Sequence, residues 1–154
     1  MVKIRVGEDL AHSEVRAKIR LDFKGAGKPG RFIFGGKSTE KMADELREQQ
    51  AAFYRNVPLQ GVIIDDLEMN TDVYFVTEAV SNREIAYAPL IMTMRADSLE
   101  DLLQFVCREE FRKIEILEPG EMVMNKFDVE KLLFGMSREL EKYREFLDKK
   151  LNSR

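Results

Sequence analysis

Between positions 14 and 24 the chain alternates without a break. Val15, Ala17, Ile19, Leu21 and Phe23 are apolar, and Glu14, Arg16, Lys18, Arg20, Asp22 and Lys24 between them are charged. A period of two marks a strand with one buried and one wet face, as in an antiparallel sheet covered on one side. Gly25-Ala-Gly-Lys-Pro-Gly30 is turn composition and Arg31-Phe-Ile-Phe34 suits a returning strand, so a β-hairpin is expected here.

The period then lengthens. Ser38 or Thr39 is placed to cap a helix reaching about Arg55, with Met42, Leu46 and Phe53 on its apolar face and Asp44, Glu45, Arg47 and Glu48 largely turned away. After Pro58, the apolar run at 61–65 suits a short strand, and 72–80 with 84–95 read as a second hairpin around Ser81-Asn82-Arg83. Asp97-Ser-Leu-Glu100 spells a capping box for a helix to about Glu110 that buries Leu99, Leu102, Leu103 and Val106. A strand at 113–117 ends at Pro119-Gly120, and a long helix is expected over about 126–151.

These elements predict one α+β domain over residues 1–154, with a mostly antiparallel sheet. The stretch from 31 to 117 follows a ferredoxin-like βαββαβ order, with an extra N-terminal hairpin strand before it and the long C-terminal helix after it. The strand at 61–65 does not fit that order and is expected at an edge.

The long helix carries Leu133, Met136, Leu140, Tyr143 and Leu147 at three-four spacing, widened by Phe146 and Leu151. Val129, Leu132 and Phe134 add apolar surface elsewhere in its first half, which is therefore expected inside the domain. From Arg138 onward a single stripe runs between charges, so it packs along its own domain or against a partner helix. Leu140, Tyr143, Phe146, Leu147 and Leu151 are the candidate interface, and a second copy is the simplest partner.

Composition narrows the class. With 44% hydrophobic and 34% charged residues, the 154-residue chain belongs with globular proteins. A lone Cys107 excludes an internal disulfide, and no apolar run is long enough for a membrane helix or a leader. Cytoplasm is the expected location. Net charge is −3 but uneven: residues 1–41 carry +5, residues 42–102 carry −8, and the remainder balances.

That basic first third gives a candidate nucleic-acid surface. Arg16, Lys18 and Arg20 share the wet face of one strand, with Lys24, Lys28 and Arg31 around the Gly-rich tip, where they are placed to neutralise phosphates. No aromatic is interleaved on that face for stacking on bases, and Glu14 and Asp22 interrupt it.

Catalytic signatures are poor. Gly35-Gly-Lys-Ser-Thr39 imitates a phosphate loop, but Arg31 stands where such a loop needs its first glycine. Asp66, Glu68, Asn70 and Asp72 imitate the start of a calcium loop, yet Thr71 replaces its glycine and Thr77 its final glutamate. His12 and Cys107 are the only residues of their types, too few for a His/Cys metal cluster. No metal and no cofactor are expected. The best-supported expectation is a non-enzymatic protein-interaction domain, associating with itself. A nucleic-acid-binding accessory protein is the alternative, and a small-molecule binder or enzyme with a pocket between sheet and helices is the third.

Overall fold

The computed structural model describes residues 1–25 and 38–153. Two short strands, β1 (Val2–Val6) and β2 (Asp9–Ser13), form an N-terminal hairpin of their own, turning at Gly7 with φ +63°. The chain then enters β3 (Val15–Gly25), the strand announced by the period-two alternation.

The other strands come from far along the chain: β4 (Val62–Glu68), β5 (Tyr74–Thr77), β6 (Glu84–Ala96) and β7 (Phe111–Glu118). All pairings among the described residues are antiparallel, in the order β4-β6-β3-β7, and β5 pairs with β6 along the same edge as β4. The class is thus α+β with antiparallel sheets, an N-terminal hairpin and a long C-terminal helix. This order does not show the ferredoxin-like arrangement, and the strand expected at 31–35 lies outside the described residues. The described neighbours of β3 are β6 and β7; the hairpin expected of it ends in that same undescribed stretch.

The core follows from alternation on both central strands. Val15, Ala17, Ile19, Leu21 and Phe23 of β3 meet Ala88, Leu90, Met92, Met94 and Ala96 of β6, and all are fully or almost fully buried. Burying each Leu, Ile or Phe contributes about 1.5–3 kcal/mol, so this face sets where the covering layer must go.

That layer is α1 (Thr39–Asn56), capped by Ser38, whose side chain accepts from the Lys41 amide. Its buried stripe is Ala43, Arg47, Ala51 and Tyr54, whereas Phe53, expected on the apolar face, is 44% exposed. Close approach sets the first turns of that stripe. A Cβ on Gly25 would lie 2.0 Å from the Thr39 carbonyl oxygen, and Ala43 packs with Ala86 and Ala88, so only small residues fit the contact. Arg47, expected to face solvent, runs under the helix instead, donating to the carbonyls of Thr71 and Pro89 and to Asp44.

The expected helix at 98–110 shrinks to a 3-10 turn (Glu100–Leu102) running into the short α2 (Leu103–Val106). Its start lies one residue later than the spelling implied. Ser98 and Asp101 bond each other's backbone amides reciprocally, in place of Asp97 and Glu100. Leu102, Leu103 and Phe105 are buried, and Phe105 touches the Tyr54 ring, completing the layer beside α1.

α3 (Lys126–Asn152) begins with a capping box between Asn125 and Asp128. It packs against the 3-10 turn and α2, outside the layer that already covers the sheet. Not one of its 27 residues is buried. The expectation that its first half lies inside the domain fails, because α1 and α2 already cover the buried apolar face of the sheet, and Val129 and Phe134 remain exposed. No helix among the described residues is long and apolar enough to cross a membrane.

Candidate functional site

Two surfaces carry the residues singled out from sequence. The first is the sheet face opposite α1, built from the even-numbered positions of β3. Arg16 is exposed there and stands opposite Arg95 and Glu118, while Lys18 is half-buried between Thr93 and Glu115. Arg20 donates to both oxygens of Asp22 at 2.8 and 3.1 Å. Lys24 stands opposite Tyr87. Lys28 and Arg31 lie outside the described residues. Acids therefore interleave with the basic row: Glu115 and Glu118 from β7, and on Arg95 both Asp65 of β4 and Glu14, which directly precedes β3.

At one end of this face sits a polar cluster that spacing did not reveal. Asp22, 1% exposed at its side chain, accepts from Arg20 and from the Tyr74 hydroxyl at 2.6 Å, with Arg112 at 3.8 Å. Tyr74 stacks on Tyr87, and the Arg112 guanidinium lies 5.5 Å from the Tyr87 ring centre. Burial, then the bond to Asp22, raises the Tyr74 hydroxyl above its ordinary range, and the same carboxylate raises Arg20. This is a satisfied buried carboxylate that ties β3, β5 and β7 together. The aromatics missing from the wet face of β3 arrive from β5 and β6.

The second surface is α3. Its half-buried positions, Asp128, Leu132, Gly135, Glu139, Tyr143 and Leu147, trace one flank lying on the domain. Gly135 allows that contact, since a Cβ there would meet the Leu103 side chain at 3.0 Å. A second row, Val129, Leu133, Met136, Leu140, Tyr143 and Leu147, spaced alternately by four and three, starts beside this flank and merges with it at Tyr143 and Leu147. Leu133 is 58% and Leu140 56% exposed, and Phe146 and Leu151 at the row's margin are likewise exposed. Three of the five candidate interface residues named from sequence, Leu140, Tyr143 and Leu147, thus join Val129, Leu133 and Met136 in one strip, with Leu151 on one margin and Phe146 on the other, toward the domain side. Phe127 and Phe134 are exposed on a further face.

Between the two surfaces lies an open groove of about 950 Å³, walled by Lys24, Tyr87, Arg108 and Arg112 on one side and Glu139, Tyr143 and Phe146 on the other. Cys107 lines it too, its thiol pushed up by burial and by Glu139. Such a shift disfavours the thiolate, the form in which a cysteine acts as nucleophile. His12 stands exposed on β2, opposite Lys3. Among the described residues no three His, Cys, Asp or Glu side chains converge as a metal ion would require.

Compared with family models, with curated proteins and with solved structures, the chain matches none. The surfaces themselves are what a functional reading has to rest on.

Proposed function

We propose that this domain is a non-catalytic protein-interaction module whose contact element is α3 and whose partner is a second copy of itself. One observation carries the reading: a 27-residue helix that buries none of its residues yet holds large apolar side chains in a continuous strip. A strip of that kind on a solvated helix needs a cover. Alternating steps of four and three are the spacing by which two helices pack along their length.

Covering Val129, Leu133, Met136, Leu140, Phe146 and Leu151 on two copies removes on the order of 1,200 Å² from water, the lower end of specific interfaces. The interleaved acids on the sheet face favour this reading over nucleic-acid binding, because they cancel the field that would attract phosphates.

Sedimentation equilibrium tests it. The unmodified chain should sediment above its 17.9 kDa monomer mass at micromolar concentration. Leu133→Lys with Leu140→Lys should return it to the monomer with an unchanged far-UV spectrum. A monomer at high micromolar concentration would reject self-association.

A further inference from the structure

We infer that the two α3 helices pair in parallel and in register, so that each copy supplies residues to the wall of the other's groove. This rests on the self-association proposed above and adds its geometry. With Leu133, Leu140 and Leu147 as one seam position and Val129, Met136 and Tyr143 as the other, two flanks border the seam. One flank is Leu132, Glu139 and Phe146; the opposite one is Glu130, Ser137, Arg144 and Leu151.

The first flank is the side on which the domain sits, since Leu132 and Glu139 are half-buried and Glu139 and Phe146 line the groove. A parallel pair sets that flank against the opposite flank of the other copy. The two domains then lie on opposite sides of the helix pair. An antiparallel pair sets the two domain-bearing flanks together on one side, where both domains, docked around Gly135 and Glu139, compete for the same space.

Side-chain chemistry agrees. In parallel register Glu139 meets Arg144 of the partner and Phe146 meets Leu151 of the partner, an opposite-charge pair and an apolar pair, each made twice by symmetry. In the antiparallel alignment Glu139 meets its own copy. Glu139 already bonds Lys142 at 2.9 Å, so its carboxylate is held at the groove wall with an acceptor oxygen left for a second cation. Lys126 and Lys150 occupy seam positions at the two ends and limit the strip to the span between them.

The test uses the full chain with Cys107→Ser and one spin label at a time on Lys131→Cys, Arg138→Cys or Glu145→Cys, all remote from the seam. Parallel register predicts the same inter-copy distance at all three positions. Antiparallel pairing predicts a short distance at 138, with labels at 131 and 145 offset from their copies by about 21 Å along the axis. Charge exchange gives a second measure. Arg144→Glu should weaken the dimer roughly tenfold, and adding Glu139→Arg should restore it. Equal distances with rescue support the inference. A dimer with unequal distances or no rescue overturns it and leaves self-association standing, whereas a monomer in every experiment overturns both.

Discussion

β3 and α3 each carry a regular row of large apolar side chains, and the two rows meet opposite fates. On β3 every apolar position is buried to within 1% of complete, because α1 lies across that face and β6 and β7 flank it. On α3 the row is no less regular, yet no residue is buried. Regularity in a sequence states that a face requires cover; it does not state which body provides it. The sheet needed one helical layer, and α1 with α2 filled it, so the last helix had only their outer edge to lie on.

The contrast can be broken most forcefully in the strand. Leu21→Ala should cost about 2–5 kcal/mol in denaturant unfolding, the range for truncating a buried leucine. A loss below 1 kcal/mol would mean that the face is less tightly covered than described. Asp22→Ala should cost less, about 1–3 kcal/mol, since Tyr74 loses its acceptor while Arg20, 38% exposed, can turn to water. Gly25→Ala, facing the Thr39 carbonyl at 2.0 Å, should cost a similar 1–3 kcal/mol by forcing α1 off the sheet.

In the helix the same kind of change should scarcely register. Leu140→Ala, measured at a concentration where the chain is monomeric, should alter stability by under about 0.5 kcal/mol, as for surface positions. Its effect should appear as a higher dissociation constant. A large loss in the dilute monomer would place Leu140 inside the domain.

The smallest expected effect concerns pH. Asp128 closes the cap of α3, and the hydrogen bond from the Asn125 backbone, with help from Lys3, holds its carboxyl below the ordinary value. A lowered folded-state pKa contributes stability that is present above the unfolded value and lost as pH falls through the folded one. The first turn of α3 should therefore fray only in strongly acidic solution, visible as faster amide exchange at residues 126–129, and Asp128→Asn should remove that pH dependence.

Local order was legible wherever neighbours in sequence decide it. The alternation from Val15 to Phe23 fixed the buried face of β3, Ser38 the start of α1, and the spacing from Leu133 to Leu147 the α3 strip. Each depends on backbone periodicity and on caps reaching three or four residues. What only tertiary structure decided lies further apart: β3 between β6 and β7, Arg47 turned inward, and Asp22 joined to Tyr74 and Arg112. The composition of a helix offers several plausible faces, and the one buried is chosen by fit. Here Gly25, Ala86 and Ala88 let α1 come close at Ala43, which turns Ala43, Arg47, Ala51 and Tyr54 inward and leaves Phe53 partly outside, and the covered sheet left α3 with its apolar strip facing outward.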